Sequence, residues 1–276
     1  MKTLLIIVLT AACVSAQAPR LALVDRAGNV TTIGTLPLST FAPRLSPDGR
    51  QVVYDAEGAI WIADLANVKS PRRLGSGQFP LWSGDGSRVL FIMAVNGRQQ
   101  MFSMAADGSA PAEMLIADAR APESWSNTAQ VLTYITLMGS NYDVRGYSLR
   151  DRSNVEVAAQ EATSEMGSRL SADGRWLAYE SFETGMPEIY VEPWPKSGAR
   201  TRVTTGGGRR PLWSPDGTEI FFDRDDRQLY AVKIQTGPTV TVGTVSTVPI
   251  KGFLQGGARR QYDITPDGKQ FLMLFP

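Results

Sequence analysis

Leu212-Trp213-Ser214-Pro215-Asp216-Gly217 decides the fold, because variants of this stretch return along the chain. The same places read Arg44-Leu45-Ser46-Pro47-Asp48-Gly49, Leu81-Trp82-Ser83-Gly84-Asp85-Gly86, Arg169-Leu170-Ser171-Ala172-Asp173-Gly174 and Asp263-Ile264-Thr265-Pro266-Asp267-Gly268, with a degraded copy at Ser124-Trp125-Ser126-Asn127. The six hydroxyl residues stand 37, 43, 45, 43 and 51 residues apart. Self-similarity at such a period marks an array of supersecondary units. In the turn, Pro presets φ, Asp caps its own backbone and Gly takes the positive φ that closes a hairpin.

Outward from each anchor the pattern is that of strands. A large apolar residue precedes it, and six and eight places later a second apolar pair follows: Val52 and Tyr54, Val89 and Phe91, Leu132 and Tyr134, Leu177 and Tyr179, Ile220 and Phe222, Phe271 and Met273. Apolar residues two apart share one face of a strand. A third, aromatic strand is predicted at Ile60-Trp61, Met101-Phe102, Gly146-Tyr147, Ile189-Tyr190 and Leu229-Tyr230. A fourth, polar strand is predicted near Arg73-Leu74, Met114-Leu115, Val155 to Val157, Arg202-Val203 and Val240 to Val245. Four antiparallel strands per unit make a propeller blade.

The ends give the blade count. The last unit has two strands before Pro276, and Leu21 to Asp25 with Val30 to Ile33 supply two strands that lack an anchor. The expectation is an all-β, six-bladed propeller over residues 17–276, its C-terminal blade completed by the N-terminal strands. The third unit, which has lost its Asp-Gly turn, has the least defined geometry.

Lys2, the apolar run Leu4 to Ala12 and the small residues Val14-Ser15-Ala16 predict a signal peptide over residues 1–16, hence a periplasmic or secreted protein. Cys13 raises the alternative of a lipid anchor, but Thr10 stands where such signals usually carry Leu, so cleavage after Ala16 is preferred. No later run approaches the length of a transmembrane helix. Without Lys2 the chain has 27 basic and 27 acidic residues, which gives no sign of nucleic-acid binding. Cys13 is the only cysteine, so disulfides cannot staple the mature domain, and stability must come from burial.

The Ser-Pro-Asp-Gly hairpins followed by Ile-Tyr or Leu-Tyr strands resemble the propeller repeats of the TolB family over nearly the whole mature chain. TolB carries an α/β domain ahead of its propeller, for which the sequence leaves no room, so the resemblance implies the propeller part alone. Pro187 to Pro195, Gly206 to Ser214 and Tyr262 to Gly268 also resemble propellers fused behind bacterial serine/threonine kinases, whose catalytic domain is likewise absent. What both imply is an envelope or sensor role.

The chain contains no histidine, which removes the usual general base, the Ser-His-Asp and Cys-His arrangements and the commonest transition-metal ligand. It also tells against a lyase whose metal site uses histidines. No catalytic residue, metal or cofactor is assigned. The repeated aspartates read as turn caps rather than calcium ligands, since each lies in its own hairpin. Asp223-Arg224-Asp225-Asp226-Arg227 reads as a solvated hairpin loop, and Trp194, between Pro193 and Pro195, as a rim-packed connector or an exposed ligand contact.

The candidate binding residues stand just ahead of the innermost strands, where loops gather around the channel: Arg44, Glu123, Arg169, Arg209, Arg210, Arg259, Arg260 and Asp263. The glycines Gly206 to Gly208 and Gly256-Gly257 are placed to let two Arg-Arg pairs reach the mouth. Such a ring suits a carboxylate, a phosphate or an acidic peptide end; a charged rim closed by internal ion pairs is the competing reading. The expected function is a monomeric, non-catalytic scaffold that binds an envelope protein, a peptide or a small acidic ligand. The alternative is a glycan lyase or hydrolase, or a lactonase, using Glu123 and Asp263 as acids.

Overall fold

The computed structural model describes residues 17–155, 157, 163–257 and 259–276. The leader expected over residues 1–16, with Cys13, lies outside the described residues. Among the described residues the chain forms 24 strands in six four-stranded sheets, paired antiparallel throughout. There is no helix among them, and so none long and apolar enough to cross a membrane.

Blades are numbered here from Phe41. Their innermost strands are Phe41–Leu45, Gln78–Trp82, Ala121–Ser126, Glu165–Leu170, Arg209–Trp213 and Tyr262–Ile264. Blade 6 is the composite one. Arg20–Asp25 lies beside Gln270–Phe275, in register from Arg20 opposite Phe275 to Asp25 opposite Gln270, and Val30–Thr35 forms its outer edge. The ring thus closes through the first and last strands of the described chain.

The anchor hairpins show why their residues recur. In blade 1 the Ser46 hydroxyl donates to Asp48 Oδ1 at 2.6 Å and accepts the N–H of Gln51 at 2.9 Å. Asp48 Oδ1 takes the N–H of Arg50, and Gly49 N–H returns to the Ser46 carbonyl. The same set repeats at Ser83, Ser171, Ser214 and Thr265. The turn aspartates are therefore caps. The hydroxyl and amide bonds hold Asp48, Asp85, Asp216 and Asp267 below the usual carboxylate range. Blade 3 keeps the hairpin without Asp or Gly: Ser126 accepts the N–H of Ala129, and Gln130 takes the left-handed conformation at φ 52°.

Neighbouring hairpin tips also touch. A Cβ on Gly49 would stand 3.0 Å from Pro266 of blade 6, and one on Gly86 3.3 Å from Pro47 of blade 1. The turn glycine meets two demands at once, its own φ and its neighbour's proline ring.

The second strand of each blade is buried on both faces, because each blade packs against two others. Tyr54, Phe222, Phe271 and Met273, all at the predicted apolar places, are fully enclosed, and Phe221 meets Phe271 across blades 5 and 6 edge to face at 4.8 Å. Large aromatic side chains supply much of such a core's burial energy. Trp194 is half-buried and packs on the cluster around Val131 and Leu170.

Candidate functional site

A repeated irregularity of the innermost strands shapes the channel. Four residues ahead of the hydroxyl anchor, Ala42, Phe79, Gly167 and Arg210 adopt positive φ of 50°, 57°, 69° and 55°, and the pairing register shifts at each. A bulge of this kind turns a side chain or an N–H away from its own ladder. Each freed N–H crosses to the preceding blade: Ala42 donates to Gln261 Oε1 at 3.0 Å, Phe79 to Asp55 Oδ2 at 2.9 Å, Gly167 to Glu123 Oε1 at 2.6 Å and Arg210 to Glu180 Oε1 at 2.6 Å. Indole donors add to these ties, from Trp82 to the Arg44 carbonyl and from Trp213 to the Arg169 carbonyl, both at 3.0 Å.

The eight candidate residues lie on, or immediately before, the innermost strands themselves, rather than in flexible loops ahead of them. They fall into two groups. Arg44, Glu123, Arg169 and Arg260 line both of two cavities, of about 450 and 490 Å³, one at each end of the channel; they form its waist. Asp263 stands beside them.

In the waist Arg44 is buried, and its Nη1 donates to the carbonyls of Pro43 and Arg260. Arg169 donates to the Ser168 carbonyl. Arg260 Nη2 reaches Asp263 Oδ1 at 3.2 Å, while its buried Nε and Nη1 have no acceptor in the protein. Burial, then repulsion from Arg260, pushes Arg169 down to about 9; burial, then Arg260 and Arg169, lowers Arg44 well below the ordinary arginine value. Three guanidiniums thus share a confined space.

The two acids of the waist are largely occupied. Glu123 accepts the N–H groups of Gly167 and Ser168 and the Ser168 hydroxyl, with burial raising its carboxyl against those donors. Asp263 Oδ2 takes the N–H of Leu45 at 3.0 Å, and Oδ1 takes Arg260. Both carboxylates tie blades together, an arrangement that leaves little for acid catalysis.

The second group is bound up in ion pairs, although Arg210 and Arg259 also reach the lining of the cavity of about 490 Å³. The Arg210 guanidinium is buried and donates to Asp223, Asp225 and the Gly257 carbonyl, which holds it above its ordinary value despite burial. Arg209 pairs with Asp225 at 2.6 Å and faces Glu180 at 3.5 Å. Arg259 bonds Asp55 at 2.9 Å and Gln78 at 2.8 Å, with its plane over Phe79 at 4.1 Å. Here internal pairing has won over a free basic rim.

Two expectations need correction. The stretch Asp223 to Arg227 is not simply a solvated loop, because Asp223 is fully buried and receives Arg210. Arg209 and Arg210, which follow the glycines at 206–208, are not presented as free guanidiniums, because both are paired with acids. Gly206 and Gly207 donate their N–H groups to buried Glu188, which also binds Arg202 and Thr204.

Asp55, Glu180 and Gln261 escaped the sequence reading. Asp55, Glu180 and Asp223 all stand nine residues past a serine anchor, a positional signal that was available. Among the described residues no three acidic side chains converge as a metal site.

No protein-family model matches the chain. An uncharacterized protein of Agrobacterium fabrum is 26% identical over 198 residues, 68% of this chain and 67% of that protein. Among solved structures, a TolB candidate from Agrobacterium tumefaciens superposes with a TM-score of 0.73 at 19% identity, covering 94% of this chain and 99% of that one. TolB from Acinetobacter baumannii gives 0.63 at 15% identity; 93% of this chain spans 63% of that longer protein. An oligogalacturonate lyase in complex with manganese gives 0.59 at 14% identity, covering 90% and 80%. The fold is that of the TolB-like six-bladed propellers, and within it enzymes and other proteins alike are found.

Proposed function

We propose that this propeller is a non-catalytic recognition scaffold whose channel waist binds an anionic group: the carboxylate of a small acidic ligand, or an acidic side chain or end of a peptide or envelope protein. One observation carries this reading. Arg44, Arg169 and Arg260 crowd a space where Glu123 and Asp263 are already bonded to backbone, and Arg260 keeps buried N–H groups without an acceptor. An arriving anion relieves guanidinium repulsion and supplies the missing acceptor, in a setting where charged hydrogen bonds are strong. Strands hold Arg44 and Arg169, and Arg260 stands two residues before another and bonds Asp263 on it, so little ordering opposes binding.

Acetate and inorganic phosphate, titrated against thermal unfolding at low ionic strength, test it. Either anion should raise the melting temperature of the native chain, and Arg169→Gln with Arg260→Gln should abolish that rise. An equal rise in the double variant would refute the reading. Residues 1–16 support action in the periplasm or outside the cell, and the mass of the exported protein separates cleavage after Ala16 from a lipid on Cys13.

A further inference from the structure

The two ends of the channel differ in a way that specifies the ligand. The end at the anchor hairpins is edged by polar groups such as Ser83, Asn127 and Ser171. The opposite end is walled by Phe79, Ile135, Leu137, Tyr142, Met166 and Pro211, above the floor made by the three waist arginines; Arg120, Arg210 and Arg259 also reach its lining, each paired with an acid, Asp118, Asp223 and Asp55. Most of these walls come from blades 2, 3 and 4, so they form one apolar side and not a uniform collar.

We infer that the apolar end admits a small amphiphilic monocarboxylate, headgroup first, with its carboxylate on Arg44, Arg169 and Arg260 and its hydrocarbon part along the Ile135–Leu137 wall. This rests on the anion-binding reading and deepens it. Charge sets the valence: with Arg120, Arg210 and Arg259 paired to Asp118, Asp223 and Asp55, the three waist guanidiniums against the carboxylates of Glu123 and Asp263 leave a single unit of positive charge. Size sets the class, since about 490 Å³ falls among small-molecule sites and is too confined for a folded partner. Polarity sets the orientation. A hydrocarbon part that emerged at the Ser83 and Asn127 end would cover polar groups, whereas at the Leu137 end it takes apolar surface out of water.

Calorimetric titration of the full chain with octanoate, acetate, octanamide and the dicarboxylate suberate tests this. Octanoate should bind at least about ten-fold tighter than acetate, because each buried methylene is worth about four-fold. Octanamide, lacking the charge, and suberate, with a second charge on the apolar wall, should both be at least about ten-fold weaker than octanoate. Leu137→Asn should lower the ratio of octanoate to acetate affinity. Equal binding of octanoate and acetate, or suberate binding tighter than octanoate, overturns the amphiphile while leaving the basic waist intact. A short Asp/Glu-rich peptide that displaces octanoate overturns it in favour of a peptide ligand. If no anion binds, the scaffold reading itself fails.

Discussion

Asp55 of blade 1 holds Phe79 of blade 2 at two points: its Oδ2 accepts the Phe79 N–H at 2.9 Å, and its Oδ1 binds Arg259, whose guanidinium lies on the Phe79 ring. One buried carboxylate therefore joins blades 1, 2 and 6. Replacing Asp55 with Ala leaves a buried N–H and a guanidinium without partners, at an expected cost of about 3 kcal/mol. Asp55→Asn keeps an acceptor and should cost less than half as much. Urea unfolding midpoints with unchanged slopes check both; a loss below about 1 kcal/mol for the alanine variant would show that the tie is dispensable.

Gly167 should be far less replaceable than its φ alone implies. A Cβ there stands 2.6 Å from Glu180 Oε1 and 3.3 Å from Pro211 Cδ, whereas a Cβ at Gly58, with a similar φ of +73°, meets nothing within 4 Å. Gly58→Ala measures the conformational cost by itself, about 1 kcal/mol. Gly167→Ala should cost at least about 1 kcal/mol more, and because Gly167 also binds Glu123, it should weaken anion binding. Equal destabilisation of the two variants would show that the surroundings of Gly167 yield freely.

Glu180 makes stability depend on pH in a defined window. Burial pushes its carboxyl up to about 7, against the pull of Arg209 and the Arg210 N–H and charge, with Asp223 adding to the rise. The folded state thus binds a proton that the unfolded chain has released. The contribution is fully present below the ordinary glutamate value of 4.5 and is lost as pH rises through 7. The loss amounts to at most about 3 kcal/mol. Glu123 and Asp55, also raised by burial, act in the same direction. Urea midpoints should fall between pH 5 and 8, and Glu180→Gln should reduce the fall; an unchanged slope would assign the dependence to other groups.

Deleting residues 19–36 removes the two strands that complete blade 6 and bares the edge of Gln270–Phe275, whose side chains are almost wholly buried. An uncovered apolar edge pairs with other chains. The truncated protein should elute as aggregate in size-exclusion chromatography, and a folded monomer would mean that the ring closes by another route.

The hairpins, the blade register and the composite blade were legible because their causes are local or lie at the chain ends. Ser46, Asp48, Gly49 and Gln51 satisfy one another within six residues. Two of the three waist arginines were legible because they too keep a fixed distance from the anchor, Arg44 and Arg169 each two residues before it, and Arg260 because it follows the glycines at 256 and 257. The direction of an arginine side chain is another matter. Arg209 and Arg210 share their blade with Asp223 and Asp225, and only the strand pairing that sets Arg209 opposite Asp223 brings their charges into ion pairs. The acid nine places past the anchor was obscured because Ile92, Ile135 and Leu274 hold that place in the other three blades.

Closure between Arg20–Asp25 and Gln270–Phe275 also sets a clock. Strands separated by nearly the whole chain must meet before the ring exists, and pairing at that range is slow compared with forming a hairpin. Five blades can assemble as the polypeptide emerges, yet the hairpin of Arg20–Asp25 and Val30–Thr35 has to wait without the rest of its blade until residue 275 has been synthesised. Ring closure is therefore the last step in assembling the propeller, and an undocked N-terminal hairpin accompanies every step before it.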